Sequence, residues 1–341
     1  MASLFFWRRR NPPAAATVAP ATPVIPAPAV RVADAIPIDP LRQVLAHALG
    51  DESAANPAAT PTAPHMALLL AASQQIAQIG VEPRYTPRRP SLLPQLLEAV
   101  DDEDASLRTM ARIIQQDPQL TGDLLRTANS AMYRVSSTPV ESVERAAALL
   151  GTQGLRALIA SSLLQPLAQD GTALGKFGEI TWSHATCCGS AAEAWAGRTQ
   201  EADPFAAHLV ALLHGLGTTA VYRVLVDCYA AQSALRMDGS AAVLALTTNA
   251  AVTARRIALD WGLSARTQEA LEAQSVAAPV HAGSPLTRAL QFGLTAGSLA
   301  ILCQRKCLAL GDALPVLAAR GFTGTQIERI WDRMAQAYVR P

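Results

Sequence analysis

Apolar positions in this chain recur at three- and four-residue spacing, and no strict alternation runs longer than four residues. Such spacing puts the apolar side chains on one face of a helix. Leu107, Met110, Ile113 and Ile114 share a face behind a Ser106 cap, and Leu120, Leu124, Leu125 and Ala128 share another behind Asp117-Pro118. Ser142 opens a third stretch, with Val143, Ala146, Ala147 and Leu150 inward and Gly151 as its stop. A fourth follows over 155–167. Further helices are predicted over 180–197, 204–214, 217–234, 239–260, 264–274, 284–308, 311–319 and 323–338. Ahead of these, 39–49 ends at Gly50, and 64–79 ends at Gly80. The fold class is all-α, and no internal repeat is evident.

Prolines set the organisation of the N-terminal part. Residues 11 to 37 are nearly all Ala, Pro and Val, which cannot nucleate a helix and carry no packing pattern, so 1–37 is predicted to be a disordered Ala/Pro-rich tether. Phe5, Phe6, Trp7 and Arg8–Arg10 at its tip read as a frayed end, with a partner or an anionic membrane surface as the alternative. Residues 38–90 are then short helices and linkers, 91–300 the main domain, and 301–341 C-terminal helices packing on it.

Composition narrows the functions. Across 341 residues, 27 acidic and 28 basic side chains are interspersed and the net charge is +1, so no electrostatic footprint for nucleic acid exists. Arg84, Arg88 and Arg89 with Tyr85 read as a solvated linker. The start lacks the order of a secretory signal, and the most apolar stretch, Phe205 to Val226, is interrupted by His208, His214 and Arg223, so it reads as a buried helix pair, not a transmembrane segment. Five cysteines without framework spacing point to reduced thiols and a cytoplasmic setting. Cys187-Cys188 diverge on a helix, and Cys303 with Cys307 lacks a second ligand pair, so buried thiols are the default for both.

Several motifs occur together at a specific spacing: Gln116-Asp117-Pro118-Gln119-Leu120, Leu124-Leu125-Arg126-Thr127-Ala128-Asn129-Ser130-Ala131, Leu149-Leu150-Gly151, Trp182-Ser183-His184, Leu212-Leu213-His214-Gly215-Leu216-Gly217 and Trp261-Gly262-Leu263. Over residues 91–300 this resembles the HDOD domain, a divergent, non-catalytic relative of the HD and HD-GYP metal-dependent phosphohydrolases. The resemblance implies a multi-helix HD-like bundle.

The catalytic relatives hold a divalent ion with an early histidine, an adjacent His-Asp pair and a late aspartate. Carried over by that resemblance, His184 takes the early position and His214 the histidine of the pair, whereas the two aspartate positions fall at Gly215 and, after Ala296, at Gly297. A further histidine position falls at Asn249 or Ala250, and a His-His step near Ala273-Gln274. Two imidazoles without a carboxylate are a poor seat for a hard cation, so no metal, no cofactor and no catalytic residue is expected, and His184 and His214 read as hydrogen-bonded core residues. Glu193, Glu201 and Asp203 are nearby acids at no matching position. Asn129, Arg255 and Arg256 are the candidate ligand or partner contacts, although Asn129 suits local backbone bonding better.

The resemblance thus implies a bacterial signal-transduction module working through a signalling protein partner. The alternatives are a residual phosphohydrolase, and a sensor that binds a nucleotide or cyclic dinucleotide in the ancestral cleft through Arg255 or Arg256.

Overall fold

The computed structural model describes residues 39–79, 118–130, 138–169, 174–232, 234–274 and 283–339, together with positions 85, 89, 107, 110–112, 114 and 115. The predicted tether and its aromatic-arginine tip lie outside the described residues, as do Gly80, Arg84, Arg88, Ser106 and Asp117. Every regular element among the described residues is helical.

In chain order these are α1 (Pro40–Leu49), a 3₁₀ turn (Glu52–Ala55), α2 (Ala63–Ala77), α3 (Pro118–Ala128), α4 (Val143–Gln169), α5 (Gly175–Thr199), α6 (Pro204–Ala230), α7 (Gly239–Asp260), α8 (Ala265–Glu272), α9 (Pro285–Gln304), a 3₁₀ turn (Leu310–Asp312), α10 (Ala313–Ala319), α11 (Thr325–Met334) and a π turn (Ala335–Val339). The starts follow from local chemistry. Asp203 accepts from the amide of Ala206 at 2.7 Å, Asp238 from Ala241 at 2.8 Å and Ser284 from Thr287 at 3.3 Å, each quenching an amide that the first turn leaves unpaired. Pro204 and Pro285 then occupy first-turn positions that lack a donor requirement. Gly50 ends α1 in the left-handed conformation, φ 74°.

Gly151 interrupts α4 as the stop signal predicts: at φ 66° and ψ 178° it occupies a region reserved for glycine, and two helical segments meet there at a kink.

One expectation is corrected. The stretch read as two helices, 204–214 and 217–234, is the single helix α6, continuous through Gly215-Leu216-Gly217. Those glycines admit neighbouring backbones instead of breaking the helix: a Cβ on Gly217 would lie 2.7 Å from the Ala254 amide nitrogen and would strike the Ala250 carbonyl on α7. Small residues let helices approach closely, and this outweighs glycine's helix penalty of about 1 kcal/mol.

At the centre, α5 packs between α6 and α9, and α7 covers the other side of α6; α3 and α4 pack on one another, and α4 reaches α6. Trp261, Phe292, Leu124 and Leu155 are fully enclosed, each contributing about 1.5–3 kcal/mol through burial. α6 and α9 are each long and apolar enough to cross a membrane, and 83% and 89% of their apolar windows are buried inside the protein.

Candidate functional site

α5, α6 and α9 carry the positions that the sequence singles out. The close packing of these three helices brings His184, His214, Gly215 and Gly297 into one region of the core. His184 lies 2.8 Å through Nε2 from Ser298 Oγ on α9 and 3.2 Å from Cys188 Sγ one turn along α5. Burial lowers its pKa to about 3, with the neighbouring His214 opposing a second positive charge. Burial alone lowers that of His214 to about 4. Both rings are therefore neutral near pH 7.

Neutral imidazoles are competent ligands, but the space beside them belongs to backbone. A Cβ on Gly215 would sit well inside 3.0 Å of Ala185 Cβ on α5. A Cβ on Gly297 would lie 2.5 Å from Cys188 Sγ and 2.7 Å from both Cys188 Cα and its amide nitrogen. Gly293 repeats the contact one turn earlier, 2.6 Å from the Cys188 carbonyl oxygen. At Gly215 and at Gly297 not even a methyl group fits without a shift of α5. Among the described residues, no third ligand-type side chain joins His184 and Cys188 within 4.8 Å. A divalent ion of the HD kind does not fit this residue set.

The other candidates are engaged elsewhere. Asn129 donates through Nδ2 to the carbonyls of Leu125, at 2.8 Å, and Val140, at 2.9 Å, while its Oδ1 accepts from the Val140 amide at 2.8 Å. It pins the end of α3 to the strand of chain entering α4. Arg256 donates to the Ile76 carbonyl at 2.8 Å, satisfying the C-terminal end of α2. Arg255 pairs with Glu272 on α8 at 3.3 Å. The three do not converge on the histidines.

A cleft of about 370 Å³ opens at a different place, between α3, α4, α5 and the C-terminal turn. At its wall His208 Nδ1 meets Glu193 Oε2 at 3.0 Å, and Nε2 meets Ser161 Oγ at 3.2 Å. Gly189 makes room for the ring, since a Cβ there would lie 3.1 Å from it. Ser190 and Tyr338 share a hydrogen bond of 2.8 Å nearby. Glu193 had figured only as a nearby acid and His208 only as an interruption of an apolar stretch; nothing in their linear spacing joins residues on α5 and α6 to one on α4.

The described residues form an all-helical bundle in which His184 and His214 are buried where α5, α6 and α9 meet. The chain belongs to the HDOD domain family, whose pattern matches residues 86–276. The fold is similar to that of a protein from Shewanella amazonensis SB2B carrying the provisional name of metal-dependent phosphohydrolase (TM-score 0.56, 17% identity, covering 81% of this chain and 100% of that one). It is also similar to an HDOD domain protein of unknown function from Geobacter sulfurreducens (TM-score 0.54, 18% identity, 81% and 96%). A provisionally named signal transduction protein from Marinobacter aquaeolei VT8 aligns less closely (TM-score 0.43, 17% identity, 80% and 63%). No curated protein matches the chain.

Proposed function

We propose that the chain is a non-catalytic regulatory module that transmits a signal through contacts with a protein partner. The observation that supports this reading is steric: glycines stand at 215 and 297, where the resemblance puts the carboxylates, and Ala185 and Cys188 of α5 leave no room there for a Cβ. Membership of the HDOD family supports the regulatory assignment. A reducing, cytoplasmic setting is part of this reading, because the five cysteines lack the spacing of a disulfide framework.

The test is turnover. Purified full-length chain, metal-stripped and then supplied with Mn²⁺ or Mg²⁺, is assayed against generic phosphodiesters, nucleotides and cyclic dinucleotides. No turnover above the buffer blank is expected. Metal-dependent hydrolysis that disappears in His214→Ala would overturn the reading and favour a residual phosphohydrolase. Capture experiments from the native cell, with and without residues 1–90, then identify the partner and the part of the chain it holds.

A second reading, a small-molecule sensor, is favoured by the cleft beside His208, which offers volume together with a polar wall. Arg255 and Arg256 do not line that cleft; they pair with Glu272 and the Ile76 carbonyl. A thermal-shift screen in which no nucleotide or cyclic dinucleotide raises the melting temperature would remove it.

A further inference from the structure

We propose that His47, Glu52 and Cys307 form a zinc-class metal site, remote in sequence from the HD positions. Their ligand atoms lie within 4.8 Å of one another. Cys307 Sγ is 3.6 Å from His47 Nδ1, and Glu52 Oε1 is 2.7 Å from the same nitrogen.

The three side chains come from three chain segments, each turned toward the others by its own backbone. His47 sits in the last turn of α1. Gly50 closes that helix by donating to the carbonyls of Ala46 and His47. The next residue, Asp51, accepts from the amide of Ser53 at 3.2 Å and its hydroxyl at 2.5 Å, and packs against Gly239, where a Cβ would displace it. The 3₁₀ turn that presents Glu52 is thereby docked onto the start of α7. Beyond α9, Lys306 takes a left-handed conformation at φ 60°, and the Cys307 amide donates back to the Leu302 carbonyl at 2.9 Å. That reversal brings Cys307 to α1, whereas Cys303 stays buried in the core. The sequence pair four residues apart is therefore split, and Cys307 comes from the far end of the chain to join His47 and Glu52, which lie five residues apart.

Donor chemistry selects the ion. A thiolate, an imidazole and a carboxylate together suit Zn²⁺, whereas Mg²⁺ and Ca²⁺ require oxygen donors. Zn–S, Zn–N and Zn–O bonds in a tetrahedron place donors about 3.3–3.6 Å apart. The sulfur–nitrogen separation already has that value. The nitrogen–oxygen separation is shorter because the two atoms share a proton. Glu52, with 66% of its side chain exposed, can withdraw the remaining fraction of an ångström at little cost. Binding releases the Cys307 S–H proton to solvent, while the His47 proton is carried on Nε2 so that Nδ1 ligates as a neutral imidazole. Three protein ligands leave the fourth position to water or to a donor from a partner.

The experiment uses the reduced full-length chain, titrated with Co²⁺ as a spectroscopic substitute and with Zn²⁺ in competition. One equivalent of Co²⁺ is expected to produce a near-ultraviolet thiolate-to-cobalt charge-transfer band that Zn²⁺ abolishes. The band disappears in Cys307→Ser and persists in Cys303→Ser. His47→Ala weakens Zn²⁺ affinity at least about tenfold, the usual lower bound for damage to a metal site. Far-ultraviolet circular dichroism shows that the variants still fold; Cys307→Ser and His47→Ala change exposed or half-buried side chains, and Cys303→Ser replaces one buried sulfur by oxygen. Absence of a stoichiometric band, or a band that survives Cys307→Ser in folded protein, overturns the proposal. These outcomes are independent of the turnover assay, in which the decisive variant is His214→Ala.

Discussion

Gly215 on α6 and Ala185 on α5 touch so closely that the Ala185 methyl group occupies the place where a side chain at Gly215 would begin. Replacing Gly215 with Ala is expected to destabilise the fold by about 1–3 kcal/mol, the usual cost of overpacking. Ala185→Gly in the same chain should recover most of that loss, because the two changes share one volume and are non-additive. Equilibrium denaturation of the two single variants and the double variant measures it; strictly additive losses would contradict the contact.

Gly297 meets backbone as well as the Cys188 sulfur, so it lacks such an easy rescue. Gly297→Asp is expected to lower the melting temperature markedly and to create no Mn²⁺-dependent turnover. The two readouts separate, since thermal denaturation reports the steric cost and the hydrolysis assay reports any regained ligand.

The two buried histidines make stability depend on pH. Each is neutral in the fold, with its pKa lowered to about 3 for His184 and about 4 for His214, against roughly 6.5 in the unfolded chain. Below pH 6.5 the unfolded state binds protons that the folded state refuses, so stability falls as pH falls and is fully present above that value. The loss continues down to about pH 4 for His214 and about pH 3 for His184. The slope approaches about 1.4 kcal/mol per pH unit for each histidine. Melting temperatures from pH 8 to pH 5 check it, and His214→Gln should flatten the curve relative to the parent.

Asn129 supports the α3–α4 connection with three hydrogen bonds to backbone. Asn129→Ala leaves the Val140 amide and two carbonyls to find other partners, with an expected cost of about 1–3 kcal/mol. Urea denaturation measures the loss. An unchanged midpoint would free Asn129 for the ligand role that its sequence context also allowed.

Thiol reactivity should divide the cysteines sharply. Burial raises the pKa of Cys187, Cys188 and Cys303, and only Cys307 is exposed. One thiol is expected to react rapidly with a chromogenic disulfide reagent in native protein and all five after unfolding. Loss of the fast phase in Cys307→Ser assigns it.

Helix ends were legible in the linear string because caps act over three or four residues. Asp203-Pro204, Ser284-Pro285 and Gly50 each carry their own chemistry, and the structure places helix ends there. Gly215 and Gly217 were misread because glycine serves both to stop a helix and to admit a neighbour. The two uses differ only in what packs against the residue, here Ala185 and Ala254 on other helices. Pairings across helices were hidden for the same reason. No local period connects Ser161 with His208 and Glu193, and 260 residues separate His47 from Cys307.

The direct apposition of α5 with α6 and α9 also bears on reversibility. Where an open pocket has merely lost its acids, two replacements restore them. At Gly215 and Gly297 the packing of α5 leaves no room for a Cβ, so a carboxylate at either position would require spreading the bundle and repacking its centre. Placing an acidic ligand at either position is therefore a problem of architecture, beyond the reach of point substitution.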